Sequence, residues 1–535
     1  MHACAAVVMR MNRRWFLAGS AAAAASGALA EITQAQAADA PAFKTQHTAW
    51  QRGYDKALGV LATNVQTLPR YASPVLIEGA AYAGIWLECG PHESLLYRKF
   101  RPDVARQSHQ CFFALQRADG QLPCNNKRSG TGFGQIQMVV PIAATAWELA
   151  QATGDDELLH EAYAACAKWD DWLHRYRNVR GTGLTEGFCT YDTGQDNSPR
   201  WRGIPAQCPD QDAKKFPAGL KLPRLCPDLS ASTYGGRAAL AQMAEALGRT
   251  AEAAHWRQQS QELQRLILTH LYNAQDAAFY DLDAAGGSVK IRCDILSRVC
   301  GEHVVDQSTF DHLWTHQLHD PHAFWSALPL PSVALDDALF VRPIPRNSWG
   351  GASQALTALR TGRWFDHYGK SAAHAVLMQR WCEALLADGN FRQQADPLNG
   401  RFTEGQPPGY SPAALLMIDF TWRLAGICES GRQLNWNIRP GHPAAAGGNF
   451  SLRTDTQHRA QLRYDPTGAD LTVDGRWLGR LEGGAARLIT TESGRPLSLV
   501  SIDEQTQQLR LRLREQPLKQ FTLGPADAIP LIDLS

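Results

Sequence analysis

Residues 191 to 201 read Tyr191-Asp192-Thr193-Gly194-Gln195-Asp196-Asn197-Ser198-Pro199-Arg200-Trp201, placing two carboxylates, two amides, an arginine, aromatic rings and a rigid turn in eleven residues. Helix-like periodicity on both sides makes this a loop, and polar loops on a rigid scaffold are where binding and catalysis concentrate. The chemistry on offer is proton transfer. A carboxyl that delivers a proton at neutral pH needs its pKa raised by burial or by a neighbouring negative charge. Asp192, four residues before Asp196, is positioned to supply that charge, although it equally suits a turn former.

Three further segments combine carboxylates, amides, arginines and aromatic rings. The first is Trp86-Leu87-Glu88-Cys89-Gly90-Pro91-His92-Glu93, with Asp119-Gly120-Gln121-Leu122-Pro123 downstream. The second is Pro345-Arg346-Asn347-Ser348-Trp349-Gly350-Gly351. The third runs from Phe391 through Gln393 and Asp396 to Gly400, followed by Glu404 and Tyr410-Ser411-Pro412. Each lies before or between helices. In a ring of helical hairpins alternate loops gather at one end, so these four would line one pocket. No Cys-x-x-Cys or paired-histidine spacing points to zinc, and neither metal nor cofactor is expected.

The elements that must position these loops are mainly helical from about residue 48 to 428. Leu159, Ala162, Cys166, Trp169 and Leu173 recur at steps of three and four behind the acidic opening Asp155-Asp156-Glu157, and Gly154 separates this helix from the one before it. Ser230 reads as the cap of another helix, which ends at Gly248. Further helices are expected over 48–64, 103–117, 307–318, 347–361, 364–387 and 410–427, about ten to twelve in all, as successive hairpins. The connection 177–229 is very long, which marks it as functional. After residue 430 the pattern turns to strands. Leu471-Thr472-Val473, Asp474-Gly475 and Arg476-Trp477-Leu478 form a hairpin signal, and Leu509, Leu511 and Leu513 alternate with arginines. The expected organisation is a signal segment over 1–37, a helical catalytic domain over 38–430 and a small β-sandwich-like domain over 431–535.

Composition narrows the function classes. The 535 residues carry 53 basic and 52 acidic side chains in an even mixture, for a net charge of +1. There is no basic stripe for nucleic acid. Arg13-Arg14 precede a short Ala-rich run, and Ala35-Gln36-Ala37 or Ala28-Leu29-Ala30 offers a cleavage site. This pattern predicts a twin-arginine signal, recognition by that export machinery, a periplasmic or secreted product and no membrane span after processing. In an oxidising compartment Cys189, Cys208 and Cys226 are candidates for a bridge, whereas Cys111, Cys166 and Cys382 read as core. The sixteen tryptophans serve either core filling or stacking on sugar rings.

The four segments resemble those of the inverting (α/α)6-barrel glycosidases, especially the family of processing α-glucosidase I and the mannosylglycerate hydrolases, with trehalases more distant. Gly194 to Trp201 is similar to that group's Gly-x-Asp-Asn-Ser-Pro-Arg-Trp motif, Leu87 to His92 to its Trp-Asp-x-x-Phe-His motif, and Gln393 to Gly400 to its C-terminal Glu-x-Tyr-x-Pro-x-Thr-Gly motif. The resemblance implies a toroid of helical hairpins and hydrolysis of a carbohydrate substrate, with Asp196 as general acid. It places the general base at Gln393, which has no proton-accepting carboxylate. Glu404 is then the first candidate for the second carboxylate and Glu88 the next, with Asp396 and Glu186 behind them. Trp86, Glu88, His92, Asn197, Arg200, Arg346, Trp349 and Gln393 are the expected substrate-binding residues. A non-hydrolytic sugar-binding protein and a lyase or epimerase on the same toroid are the alternatives. A lyase would have to draw on His92 and Arg200.

Overall fold

The structure, a computed structural model, describes residues 40–342 and 347–531. The expected signal segment and Arg346 lie outside the described residues. Twelve α-helices occur among the described residues, in agreement with the expected number. They are α1 (Thr48–Asn64), α2 (Gly90–Tyr97), α3 (Pro102–Ala114), α4 (Ile142–Thr153), α5 (Asp156–Tyr176), α6 (Pro227–Ala246), α7 (Thr250–His270), α8 (Ile295–Gly301), α9 (Gln307–Leu313), α10 (Ala355–Arg360), α11 (Ser371–Asp388) and α12 (Ser411–Ala425).

Local chemistry accounts for the helix ends. Gly154 takes a left-handed φ of 63° after α4 and donates its N–H to the Ala150 carbonyl. Asp155 then caps α5 by accepting the Leu158 N–H at 2.9 Å. Along α5, Leu159, Ala162, Cys166, Trp169 and Leu173 are buried at the expected steps. Helices α6 and α7 pack as a second hairpin around Gly248, also left-handed at φ 71°.

Three helix expectations are corrected. Residues 364–369 form turns, and α11 begins only at Ser371. Helix α6 starts three residues before Ser230, with Pro227 in its first turn, and the Ser230 hydroxyl instead accepts the Thr185 N–H at 3.0 Å. Residues 347–354 are not helical. Ser353–Gln354 pair as a short strand with Gln394–Ala395, so α10 begins only at Ala355.

The long connection after α5 is held by a buried ion pair. Asp192 accepts from the Arg177 guanidinium and from the backbone N–H groups of Ile136 at 2.9 Å and Phe188 at 2.7 Å. Both side chains of the pair are fully buried, so Asp192 is a turn former and its charge is spent on Arg177. Every cysteine of the described residues is a free thiol, those at 111, 166 and 382 in the core as expected. Seven tryptophans, Trp201 and Trp349 among them, are fully buried core residues.

The C-terminal region carries a seven-stranded and a five-stranded antiparallel sheet. Val473 pairs with Arg476 across Asp474-Gly475, and both turn residues have positive φ, as the sequence predicts. Leu509, Leu511 and Leu513 point inward while Arg510 and Arg512 are exposed. Two strands come from before residue 431: Ala42–Lys44 pairs with 449–451, and Ile427–Ser430 continues directly from α12. Among the described residues no helix is long and apolar enough to cross a membrane.

Replacing Asp192 with alanine would leave Arg177 as an uncompensated buried cation, a loss on the order of 3–5 kcal/mol. A urea titration of the purified variant should show that loss. An unchanged midpoint would mean that the pair does not anchor the loop.

Candidate active site

Four loops converge on Asp196. Its side chain is partly exposed. Asn347 donates Nδ2–H to Asp196 Oδ2 at 3.0 Å, and Asn347 Oδ1 accepts from Gln393 Nε2 at 2.9 Å. Gln393 Oε1 in turn accepts from the Tyr82 hydroxyl at 3.1 Å. A chain of three hydrogen bonds therefore runs from Asp196 through the 347 and 393 loops to the turn before Trp86. The backbone adds two ties: Trp349 N–H donates to Asp196 O at 3.2 Å, and Asn197 Nδ2–H donates to Asn347 O at 2.8 Å. Glu88 completes the cluster. Gly194, at φ 63°, lies so close to it that a methyl group there would overlap the Glu88 carboxylate, so only glycine fits.

The loop that presents Asp196 rests on a buried ionic network. Arg200 makes a bidentate pair with Asp281, at 2.8 and 2.6 Å, and another with Asp228, at 2.8 and 2.7 Å, and it donates to Gln195 Oε1 at 2.8 Å. Arg298 donates to Thr193 O at 2.6 Å and pairs with Asp294 at 2.9 Å, while Gln195 donates to Asp294. Both residues flanking Gly194 are thereby fixed.

This corrects the expectation for Arg200. It is 1% exposed and its donors are spent within the protein, so it positions the loop instead of touching substrate. Trp349 is corrected on the same ground, because its ring is 2% exposed and packs beneath Arg298. His92 is buried one turn further along α2 and lines a separate cavity of about 750 Å³ with Arg363 and Glu148. Burial and the guanidiniums of Arg363, Arg360 and Arg423 push its pKa well down. Glu404 does not reach inward but is exposed at a turn. Glu186 accepts the N–H groups of Val179 and Arg180, and Asp396 pairs with Arg342 at 2.7 Å. Of the expected residues, Asp196, Glu88, Asn197 and Gln393 meet at the cluster, and Trp86 borders it, edge-on to Tyr82 with centroids 5.6 Å apart.

Four members, Asn347, Glu78, Tyr82 and Tyr410, have no role in the sequence reading. Asn347 lay inside a flagged segment but was given no role. Glu78 and Tyr82 lie just upstream of Trp86, and Tyr410 lies in Tyr410-Ser411-Pro412. An acid and a tyrosine four residues apart, directly before the flagged Trp86 segment, was the available signal.

Electrostatics set the carboxyls apart. Asp196 has no arginine, lysine or histidine partner among the described residues, and burial with the nearby Glu88 charge pushes its pKa up to about 7. The raising charge is therefore that of Glu88, not Asp192. Glu88 is itself raised by burial, opposed by Arg360 at 4.0 Å and by the Gln137 amide at 3.1 Å. Glu78 is held well above the carboxylate range by burial and by Glu93 and Glu88. Half-protonated near neutrality, Asp196 can both give and take a proton. Glu88→Gln removes one raising charge and leaves burial, so Asp196 should ionise at a pH below 7 but above the ordinary aspartate value. Carbon-13 NMR titration of the Asp196 carboxyl should show the drop, and an unmoved midpoint would disprove the coupling.

Residues 82–422 match the family described as the mannosylglycerate hydrolase MGH1-like glycoside hydrolase domain. No curated protein sequence matches the chain. Among solved structures, the mannosylglycerate hydrolase from Thermus thermophilus in complex with Tris superposes with a TM-score of 0.55 at 17% identity, covering 68% of this chain and 99% of that one. Neutral trehalase from Saccharomyces cerevisiae gives 0.51 at 14%, covering 68% and 79%, and a rhamnosidase from Bacillus sp. GL1 gives 0.54 at 10%, covering 79% and 40%. With its matched segment spanning more than half the sequence and enclosing Asp196, Glu88, Asn347 and Gln393, the chain belongs to the MGH1-like glycoside hydrolase family, a group of inverting glycosidases.

Proposed function

We propose that the protein is an exported hydrolase of a small glycoside or oligosaccharide, built on an (α/α)6 toroid with a β-sandwich-like domain behind it, and that Asp196 is its general acid. One observation carries this reading: the four loops meet on a single carboxyl that lacks a basic partner and is held near neutrality. Glycosidic cleavage requires such a group at the leaving oxygen. As the bond from the anomeric carbon to that oxygen breaks, Asp196 delivers its proton to the oxygen, and water adds from the opposite face of the sugar. Trp86, partly exposed beside Tyr82, offers an aromatic face for the ring. Glu88 and Gln393 are placed to accept or donate hydrogen bonds to sugar hydroxyls. The lyase reading draws on His92 and Arg200, and both are buried, Arg200 within its ion pairs and His92 beside a separate cavity.

The similar structures act on mannosylglycerate, trehalose and rhamnosides by their names. A panel of mannosides, glucosides and rhamnosides with aryl leaving groups therefore tests the substrate class. Asp196→Asn should lower kcat by about a thousandfold on p-nitrophenyl glycosides. The loss should be much smaller on 2,4-dinitrophenyl glycosides, whose leaving group needs no proton. Equal activity of variant and wild type on both would remove Asp196 from the acid role.

Export rests on Arg13-Arg14 and the Ala-rich run after them. Changing both arginines to lysine should retain the full-length chain in the cytoplasm on cell fractionation. Unchanged export of that variant would exclude the twin-arginine route.

A further inference from the structure

Hydrolysis with inversion needs a second carboxylate to take a proton from the attacking water, and position 393 carries an amide. The cluster contains three other buried carboxyls, those of Glu78, Glu88 and Glu93. Glu88 lies on the acid's own side, packed against Gly194 in the loop that presents Asp196 and held by Gln137 and Arg360. A base must stand across the sugar from the acid, with about 6.5–9.5 Å between the carboxyl groups to leave room for water. Glu93 is 1% exposed, which closes it to an attacking water.

Glu78 stands at the other end of the hydrogen-bond chain. A tight turn in which Gly79 and Tyr82 exchange backbone hydrogen bonds at 3.0 and 2.8 Å sets Tyr82 beside it, and Tyr82 is the terminal donor of the chain that begins at Asp196. The loop that also carries Gln393 holds Glu78 through Tyr410: Tyr410 N–H donates to Phe391 O at 2.9 Å, and the Tyr410 hydroxyl donates to Glu78 Oε1 at 2.5 Å. The Ser411 N–H donates to the Glu78 carbonyl at 2.8 Å, so the backbone is fixed as well. Tyr410 is fully buried and occupies one carboxylate oxygen, while Oε2 has no protein partner among the described residues and Glu78 retains 6% of its surface. One oxygen is thus clamped and the other is left for water. The pKa of the Tyr82 phenol is raised first by burial and then by its neighbours Glu78 and Asp196.

We propose that Glu78 is the general base of this enzyme, supplying from the turn before Trp86 the carboxylate that Gln393 lacks, with Tyr82 and Gln393 as positioning residues. The assignment rests on the hydrolase reading above. Burial and the neighbouring carboxyls raise the pKa of Glu78, so the reactive form is the one in which Glu78 is ionised while Asp196 keeps its proton. In the step, a water O–H bond breaks and its proton passes to Glu78 Oε2. The water oxygen forms a bond to the anomeric carbon, the bond to the leaving oxygen breaks, and that oxygen takes the Asp196 proton. Glu78 ends protonated and Asp196 ionised, and exchange with solvent restores both.

The test uses the full chain and whichever aryl glycoside of the panel the wild type turns over. Glu78→Gln keeps an acceptor for the Tyr410 hydroxyl, and its melting temperature should stay near that of the wild type. Its kcat should fall at least about a hundredfold, as for loss of a general base, and by the same factor on p-nitrophenyl and 2,4-dinitrophenyl substrates, because a better leaving group does not replace a missing base. Adding Gln393→Glu to that variant returns a carboxylate to the hydrogen-bond chain and should restore activity at least about tenfold. A folded Glu78→Gln variant with kcat within about threefold of wild type, or a loss that disappears with 2,4-dinitrophenyl substrates, overturns the assignment. If Asp196→Asn is inactive while Glu78→Gln is not, Glu78 falls and the hydrolase reading stands.

Discussion

The Arg200 ion-pair network is the constraint on which the site depends. An arginine with five fixed donors, buried among Asp228, Asp281 and Gln195, is stable only when every donor is matched. Here both aspartates bind it bidentately, and Arg298 extends the network to Asp294 and to the backbone of the loop. The desolvation cost of these charges is recovered only in one geometry. The loop that carries Gly194 and Asp196 therefore has one position, although it lies within a connection of fifty residues (177–226) that forms no helix longer than a single turn before α6. Arg177 and Asp192 repeat the device at the start of the same connection.

Against that background Asp196 is the exception. Asp192, Asp228, Asp281 and Asp294 each have an arginine, whereas Asp196 has an asparagine amide. Its charged neighbour is the acidic Glu88, and Glu78 has Glu93, Glu88 and Asp196 around it. Gathering four carboxyls in a buried cluster works against folding, because each like charge disfavours ionisation of the next. Unfavourable electrostatics of this kind concentrate where chemistry is done. Gln393 fits the same logic. An amide there accepts from Tyr82 and donates to Asn347 without adding a fifth negative charge to the cluster.

The sheets behind the helices contribute rigidity to this arrangement. Helix α12 begins at Ser411, next to Tyr410 and Glu78, and runs directly into the strand Ile427–Ser430. Tyr464 of the larger sheet donates to the Ala425 carbonyl at 2.9 Å, and Trp50 of α1 donates to Thr421 at 2.9 Å. The wall that holds Tyr410 against Glu78 is thereby clamped at its far end. A cavity of about 670 Å³ between α11 and the sheets, lined by Arg439, His442 and Asp503, shows that this contact is not close-packed throughout.

Local sequence determined what depends on near neighbours. Helix faces follow from spacing along α5, the α4–α5 turn from Gly154 and Asp155, and the hairpin from Asp474-Gly475, because each is decided within a few residues. The loop around Asp196 was legible for the same reason, as a dense polar segment between periodic ones. Only the tertiary structure decided which side chains face one another. It paired Arg200 with Asp228 and Asp281 from distant segments, turning an apparent substrate ligand into a support. It unwound residues 347–354, whose pairing with Gln394–Ala395 outweighed their helical spacing. It turned Glu404 outward and brought Glu78 and Tyr82 toward Gln393 across more than three hundred residues. Partners so far apart leave no periodic trace, and the pKa of a carboxyl depends on what surrounds it in space.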